Sequence, residues 1–267
     1  LPQSDFSGAS RGVYVNAQQR GRDWERAVSV ELLNDPEHGG GFHAGAGLRI
    51  RGNFSRDGNN PKHSFRLLFR SEYGNAKLRY PLYGNNGAEE FDALDVQSPQ
   101  DFSWAYYDPQ ECNYMRDTWS RDTQGALGQP YARSRWLHLY INGIYWGIYQ
   151  IEERAEATFA ASYLGGDNDE YDVIKNTGFN EDFHIEATEG FLIGPVGQPS
   201  AWERLFAGCR THFAAPSEAT YFALQGFLPD GVTRTNAPDS ALLDPDNLAD
   251  YLLMVMYSAN TDMASSS

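Results

Sequence analysis

A turn rich in small polar residues precedes basic side chains in the segment RIRGNFSRDGNNPKHSFRLLF. The turn contains Gly52, Asn53 and Ser55, and Lys62 and Arg66 follow it. Such a turn can direct backbone amides toward an anion, and basic side chains on the next strand can reach the same anion. The segment therefore indicates a phosphate-binding site, with a solvated hairpin turn that carries surface arginine and lysine as the alternative.

Two further groups of charged residues have types and positions suited to chemistry. Glu152 and Glu153 end an apolar segment at the point where the chain changes from strand-rich to helix-rich, and clefts between such parts of a protein are favoured ligand sites. Asp117 lies on a predicted helix, among charged residues that line one side of it. These residues would be functional if one of the acids met a basic residue of a strand. A solvated strand end and a solvent-exposed helix face are the alternatives, and the sequence leaves both open.

Composition and motifs exclude several other functions. With 36 acidic and 21 basic residues the net charge is −15, which argues against a general affinity for nucleic acid or for anionic membranes. The six histidines show no His-Glu-x-x-His pattern, and no Gly-x-Ser-x-Gly motif is present, so a metalloprotease and a serine hydrolase of that type are unsupported. Paired carboxylates for glycoside hydrolysis stay open, because such partners can be far apart in sequence.

Cys112 and Cys209 are the only cysteines, and we expect two buried free thiols rather than a disulfide. No run approaches the roughly 18 apolar residues of a membrane span, so no transmembrane segment is expected. The chain begins at Leu1 without the basic and apolar regions of a signal peptide, and we interpret it as a segment of a longer protein.

The candidate residues must be positioned by regular elements, and the first third of the chain is predicted to form an antiparallel sheet. Four strand-like runs are separated by Gly, Asn, Asp and Pro clusters: RGVYVN, RAVSVELL, AGLRIRGN and HSFRLLF. In the last run Phe65, Leu67 and Phe69 fall on one face, and Arg66 lies on the opposite face.

A helix is predicted over residues 111–127, where Tyr114, Met115, Trp119 and Leu127 are spaced for a buried stripe. The following segment, SRWLHLYINGIYWGIYQIEER, reads as two strands joined by Asn-Gly, the strongest short-range hairpin signal.

From Ala155 onward the pattern is mainly helical, with a polar, Gly-rich loop over residues 176–200. The segments RAEATFAASYLGG, SAWERLFAGCRTHF and DPDNLADYLLMVMYSA are predicted helices, and YDVIKN is a predicted short strand. The last helix is expected to begin with a cap at Asp244 or Asp246 and with Pro245 in its first turn. The predicted division is a strand-rich part, residues 1–154, and a helical part, residues 155–267.

The order of these features resembles the CotH kinase family, named for a bacterial spore-coat protein. The resemblance covers most of the chain, through GLRIRGNFSRDGNNPKHSFRLLF, YGNAKL, YMRDTWSRDTQGALGQPYA, LHLYINGIYWGIYQIEER and Asn260-Thr261-Asp262. Its most specific parts are the Arg-Gly-Asn-x-Ser turn followed by Pro-Lys-x-Ser, and the Asn-Gly-x-Tyr-x-Gly-x-Tyr hairpin that leads to a glutamate.

The resemblance implies an α+β, atypical protein-kinase-like fold with two lobes. An antiparallel-sheet lobe with one inserted helix would cover the nucleotide, and a mainly helical lobe would end inside the catalytic loop. It implies ATP with Mg²⁺ or Mn²⁺ as cofactors, and phosphorylation of Ser or Thr in a secreted or surface protein. It also implies an extracellular or cell-surface bacterial location and further domains in the full-length protein. The alternative is a non-catalytic kinase-like surface module that binds a polysaccharide or protein partner.

The same resemblance gives expected roles to individual residues. Nucleotide binding is expected of Arg51, Gly52, Asn53, Ser55, Lys62, Arg66, Asp117 and Glu152. Lys62 or Arg66 would supply the cation for the phosphates, and Asp117 would be its helix partner, as lysine and glutamate pair in protein kinases.

Asp262 matches the aspartate that receives the proton of the substrate hydroxyl in that fold. The kinase pattern places a metal-binding asparagine five residues later, where this chain has Ser267. The metal ligands are therefore expected beyond Ser267, and the segment alone is expected to be weakly active or inactive.

Overall fold

The computed structural model describes residues 1–98, 113–176, 185–237 and 240–260. The chain forms two compact units, one made of Leu1–Ala126 with Pro130–Tyr163 and the other of Leu127–Gln129 with Leu164–Ser267. The predicted mixture of helices and antiparallel strands is confirmed. The kinase-like two-lobe arrangement and the functional boundary after residue 154 stay predictions.

The first unit is built around an antiparallel sheet. Its described strands are β1 (Arg26–Asp35), β2 (Gly40–Arg51), β3 (Ser64–Leu68), β4 (Leu78–Arg79), β5 (Glu90–Phe91), β6 (Ala93–Gln97), β7 (Ser134–Ile141) and β8 (Ile144–Glu153). Six of them pair in the order β1-β2-β3-β6-β8-β7, and β4 pairs with β5 alone. The strands β1 and β7 are therefore the two edges of the main sheet.

Side chains alternate between the two sides of this sheet, as the sequence predicts for β3. Phe65 and Leu67 are 2% and 5% exposed and belong to the apolar core, whereas Arg66 lies on the opposite side. On β6, Leu94 and Val96 join the same core. The other side, here called the charged face, carries Arg49, Arg51, Arg66, Asp95, Gln97, Gln150 and Glu152.

The predicted hairpin is confirmed at Asn142 and Gly143, which separate the paired residues Ile141 and Ile144. Both loop residues have positive φ, 51° and 79°, as a tight two-residue hairpin loop requires. Asparagine and glycine are the residues that tolerate this conformation most readily, so the turn fixes the register of β7 and β8.

The first predicted strand, RGVYVN, is wrong. Its backbone forms hydrogen bonds to the short helix α1 (Gln3–Ser7) and not to a strand. The amides of Val13 and Tyr14 donate to the carbonyls of Asp5 and Phe6, each over 2.9 Å. Val13 is 2% exposed and packs into the core from a turn. The strand β6 was not predicted, although it lies in the middle of the sheet.

A β-bulge at the end of β1 directs a carboxylate into the core. Asn34 has φ of 55°, and the register with β2 shifts between Leu33 and Asp35. The extra residue reverses the alternation, so the Asp35 side chain is fully buried. Its Oδ1 accepts a 3.0 Å hydrogen bond from Arg135 of β7, and Tyr80 donates to Oδ2 over 2.6 Å. The bond to Arg135 joins the two edge strands of the sheet.

The ion pair between Asp35 and Arg135 predicts a specific dependence of stability on pH. The Arg135 guanidinium is the main reason why the pKa of Asp35 lies well below its ordinary value, although burial opposes the shift. A depressed folded-state pKa stabilises the fold above the unfolded-state pKa, about 3.9, and this contribution is lost as the pH falls through the folded-state pKa. Asp35→Asn should lower the free energy of unfolding at pH 7 by about 2–3 kcal/mol.

Urea unfolding at several pH values checks this, and the difference between the parent protein and Asp35→Asn should shrink below about pH 4. The exposed Asp23→Asn serves as the control and should leave the free energy of unfolding within about 0.5 kcal/mol of the parent. A deficit in Asp35→Asn that persists unchanged at pH 2 would contradict the ionic role of Asp35.

Two more helices complete the first unit, α2 (Arg116–Ala126) and α3 (Ala157–Leu164, which ends at the boundary between the units). The predicted buried stripe of the first of these is wrong: Met115, Trp119 and Leu127 are 52%, 41% and 48% exposed. None of the residues that the structure describes in α2 is buried. The reason is that α2 turns its polar side chains, rather than its apolar ones, to the sheet.

The second unit contains the strands β9 (Val173–Asn176) and β10 (Ile185–Glu189) and the helices α4 (Ala201–Ala214), α5 (Glu218–Leu224) and α6 (Pro245–Tyr257). The strand β10 pairs antiparallel with β9, so the predicted loop over residues 176–200 is corrected there. The predicted helices α4 and α6 are confirmed. Cys209 on α4 is a free thiol, and Cys112 lies outside the described residues.

Local capping explains where these two helices begin. The Ser200 hydroxyl accepts the amide of Glu203, whose carboxylate accepts the amide of Ser200 in return. On α6 the Asp244 carboxylate accepts the amide of Asn247 over 3.0 Å, and Pro245 occupies the first helical position, as predicted. In the described ranges, no helix is long and apolar enough to span a bilayer.

Candidate functional site

Four arginines form a row across β2 and the segment that begins with β3, and we call Arg49, Arg51, Arg66 and Arg70 the arginine row. Arg49 pairs with Arg66 in the register of the two strands, and Arg51 lies two residues after Arg49 on the same side. Each of the four side chains is between 25% and 33% exposed. The row is therefore held in place by the sheet and still reaches solvent.

Two buried carboxylates hold the arginine row. Asp95 accepts hydrogen bonds from Nε and Nη2 of Arg66, at 2.6 and 2.9 Å, and from Nε of Arg51 at 2.7 Å. Glu25 accepts from Nε of Arg49 at 2.7 Å and lies 3.3 Å from Nε of Arg70. Burial alone would raise the pKa of Asp95, but its bonds to Arg66 and the charge of Arg51 hold that pKa below its ordinary value. Asp95 is thus an anion that fixes two neighbouring cations.

Glu152 connects this network to α2. Its Oε2 accepts a 2.6 Å bond from Nη1 of Arg121, and its Oε1 lies 3.3 Å from Nη2 of Arg51. Burial raises the pKa of Glu152, and the charges of Arg51 and Arg121 oppose the rise. Gln97 makes a second connection, because its amide oxygen accepts from Arg51 and its amide nitrogen donates to Asp117, each over 2.7 Å.

The Gly52–Ser55 turn follows the arginine row directly and is tightly folded. Gly52 has φ of 109°, and a Cβ atom there would lie 1.8 Å from the Ser55 hydroxyl, so only glycine fits. Asn53 accepts a hydrogen bond from Arg20 over 2.5 Å. The Ser55 carbonyl accepts from Asn60 at 2.8 Å and contacts the His63 ring at 3.1 Å.

Arg56 closes this turn from the inside and was not singled out by the sequence. It is 8% exposed and donates to the carbonyls of Gly52, Ala17 and Gln19 at 2.6, 2.9 and 2.8 Å, and also to that of Ile50. Burial lowers the pKa of Arg56 to about 10, so it stays a cation at neutral pH. The turn is therefore fastened to the core before any ligand binds.

Lys62 has a different environment from the arginines. Its ammonium donates a 2.9 Å bond to the Ile148 carbonyl and lies 4.6 Å from the ring centroid of Tyr149 and 5.3 Å from that of Tyr114. Burial lowers the pKa of Lys62. Lys62 thus packs against aromatic rings beside β8, whereas Arg66 belongs to the carboxylate network.

The structure brings together four of the predicted nucleotide-binding residues, Arg51, Arg66, Asp117 and Glu152, in one network. Gly52, Asn53 and Ser55 form the adjoining turn. Arg66 is paired with Asp95 instead of the expected Asp117, which accepts from Gln97. Asp262 lies outside the described residues, and the described part of the chain contains no group of three or more metal-ligating side chains.

The sequence interpretation gave no role to several residues of the network, among them Asp95, Gln97, Arg121 and Gln150. A signal for two of them exists in ALDVQ, where Asp95 and Gln97 alternate with apolar residues of a strand that reads as buried. A buried acid in such a strand requires a cationic partner, which points to the arginines of neighbouring strands. For Arg121 the sequence offers no comparable signal, because the charged positions of α2 also fit an exposed face.

The fold and the site define a mixed α and β protein in which an arginine-rich sheet face is held by buried acids and by one polar helix. The family model described as CotH kinase protein matches residues 48–267. The chain therefore belongs to the CotH kinase family and is a kinase-like protein. A search of curated proteins found no match.

Proposed function

We propose that this protein binds ATP with Mg²⁺ or Mn²⁺ and transfers the γ-phosphoryl group to Ser or Thr hydroxyls of an extracytoplasmic protein. The observation that carries the proposal is the arginine row beside the Gly52–Ser55 turn. Arginine is the side chain best suited to planar, bidentate recognition of phosphate oxygens. Family membership supports the kinase interpretation over a non-catalytic surface module.

The distribution of charge supports phosphate binding on the first unit. Residues 1–154 contain 17 of the 21 lysines and arginines and 19 of the 36 acids, a net charge of 17 − 19 = −2, so most of the net charge of −15 lies in residues 155–267. Asp95 engages Nε and Nη2 of Arg66, so the hydrogen bonds to this carboxylate do not use Nη1 of the partly exposed side chain. A guanidinium that is fixed in this way loses little conformational freedom when it binds a phosphate.

In the proposed transfer, the oxygen of the acceptor hydroxyl forms a bond to the γ-phosphorus while the bond from that phosphorus to the β–γ bridging oxygen breaks. ADP leaves, and the hydroxyl proton passes to the carboxylate of Asp262. The arginine row neutralises the charge of the phosphates, and the sheet positions the arginine side chains. Positioning and charge stabilisation supply most of the catalysis in phosphoryl transfer.

The described carboxylates do not fit a metal site. Asp95, Glu152 and Glu25 are the buried acids beside the arginine row, and all three are already engaged by arginines. In the proposal the divalent ion arrives with the nucleotide. A secreted or surface location, a protein substrate in that compartment and further domains in the full-length protein are parts of the same proposal.

The proposal is tested with two variants that should fail in different ways. ATP with Mn²⁺ at about 100 times its Kd should stabilise the parent by about 2.7 kcal/mol in thermal unfolding. Arg66→Gln should lose most of this stabilisation. Asp262→Ala should keep it and, when introduced into the full-length protein, should incorporate at least about 100-fold less labelled phosphate than the full-length parent in an autophosphorylation assay.

Arg79→Gln is the matched control, because Arg79 is 78% exposed and lies on β4, and it should respond to ATP as the parent does. If the parent shows no ATP-dependent stabilisation and gains stability from a polysaccharide instead, the surface module replaces the kinase. If Asp262→Ala incorporates as much label as the parent, the role given to Asp262 is wrong.

A further inference from the structure

The helix α2 is held to the charged face by polar side chains. Besides Asp117 and Arg121, the Thr118 hydroxyl accepts a hydrogen bond from Gln150, whose amide oxygen accepts one from Arg121 over 2.7 Å. Each of these hydrogen bonds contributes about 1 kcal/mol net to the docking of α2. A well-packed apolar interface between the helix and the sheet would contribute more. The docking of α2 is therefore sensitive to single charges.

Two of the polar connections between α2 and the sheet lead to the same arginine. Arg121 reaches Arg51 through Glu152, and Asp117 reaches Arg51 through Gln97. Arg51 lies in the arginine row and immediately precedes the Gly52–Ser55 turn. The position of α2 and the position of a proposed phosphate-binding side chain are thus linked through two short paths.

The distances around Glu152 show which arginine is bound to it more closely. Arg121 is 2.6 Å away, whereas Arg51 is 3.3 Å away and is bound more closely by Asp95 and Gln97. Glu152 therefore contacts both arginines, through a short hydrogen bond to Arg121 and a longer ion pair to Arg51, whose charge also opposes the rise of its pKa. Without Arg121, Arg51 would be the one cation of this pair left to balance the buried carboxylate, which would draw Arg51 away from Asp95 and Gln97 and weaken its attraction for a phosphate.

We propose that Arg121 is a positioning residue that sets the phosphate affinity of the arginine row by neutralising Glu152. This inference rests on the proposed nucleotide site and reverses the kinase arrangement, in which the helix supplies the acid and the strand the cation. Here the helix supplies the cation Arg121, and β8 supplies the acid Glu152. Loss of Arg121 would then weaken phosphate binding through the less compensated charge of Glu152, and not through the loss of a contact to the phosphate.

Calorimetric titration with ATP and Mg²⁺ tests this with a double-variant cycle. Arg121→Gln should weaken binding about tenfold, the effect of roughly 1.4 kcal/mol of electrostatic free energy. In this proposal Glu152 is the charge partner of Arg121 and Arg51 and does not itself contact the nucleotide, in place of the nucleotide-binding role expected from the sequence. Glu152→Gln should therefore bind at least as tightly as the parent, because it removes the negative charge. The double variant, Arg121→Gln with Glu152→Gln, should recover affinity to within about threefold of the parent, since no buried charge is left unpaired.

The exposed Arg79→Gln on β4 is the control and should bind as the parent does. Melting curves of each variant separate unfolding from weak binding. Unchanged affinity in Arg121→Gln, or a double variant as weak as the single one, overturns the role of Arg121 and leaves the nucleotide site intact. If the parent itself does not bind ATP, the proposed function and this inference fall together.

Discussion

Arg56→Met is expected to lower the free energy of unfolding by about 3–5 kcal/mol at pH 7. The guanidinium of Arg56 donates to four carbonyl oxygens that come from β2, the Gly52–Ser55 turn and the N-terminal segment. Methionine has a similar length but no donor, so all four carbonyls would lose this partner inside the protein. Each buried polar group left unsatisfied costs about 1–3 kcal/mol. Urea unfolding measures the loss.

Arg56→Lys distinguishes the donors from the charge. Lysine keeps the charge but has a single nitrogen that cannot match the geometry of a planar guanidinium, so an intermediate loss of about 2 kcal/mol is expected. The exposed Arg79→Gln should change the free energy of unfolding by less than about 0.5 kcal/mol. A loss below 1 kcal/mol in Arg56→Met would mean that the turn is fastened by other contacts.

Asp95→Asn is expected to cost about 3–5 kcal/mol, because it leaves two neighbouring arginines without the carboxylate that they share. An amide cannot accept three charge-assisted hydrogen bonds, and Arg51 and Arg66 would repel each other across adjacent strands. The missing negative charge has a measurable signature. Inorganic pyrophosphate should stabilise Asp95→Asn more than it stabilises the parent, since the anion then replaces the lost carboxylate.

Thermal unfolding with and without pyrophosphate measures both effects. Asp122→Asn is the control: Asp122 is an exposed residue of α2, and its replacement should leave both the stability and the response to pyrophosphate unchanged. If Asp95→Asn is as stable as the parent, Arg51 and Arg66 are held mainly by other acids, and Asp95 is not the centre of the network.

Local patterns in the sequence predicted the elements whose causes are local. The alternation around Arg66 placed that side chain opposite the core, Asn142-Gly143 gave the hairpin, and Asp244 and Pro245 marked the start of α6. In each case neighbouring residues decide the backbone conformation, so a short window contains the whole explanation.

The network around the arginine row was only half predicted, because its pairs are far apart in sequence. Arg51 and Asp95 are 44 residues apart, and Arg121 and Glu152 are 31 apart. The spacing of Trp119 and its apolar neighbours suggested that α2 buries an apolar stripe, and the opposite holds. The sequence of α2 is compatible with a helix that turns either its apolar or its polar side chains toward the sheet. Only the polar side chains of the sheet decide which of these two faces is turned inward.

The bond between Asp35 and Arg135 has a consequence for the order in which the protein folds. It closes a loop of 100 residues and joins the first strand of the sheet to one that is synthesised much later. Until β7 is in place, the buried Asp35 lacks its arginine partner, so the first strands gain little from collapsing early. Contacts over such long separations slow folding. The sheet should therefore form late and as a single cooperative event, after the chain has passed the Asn142-Gly143 turn.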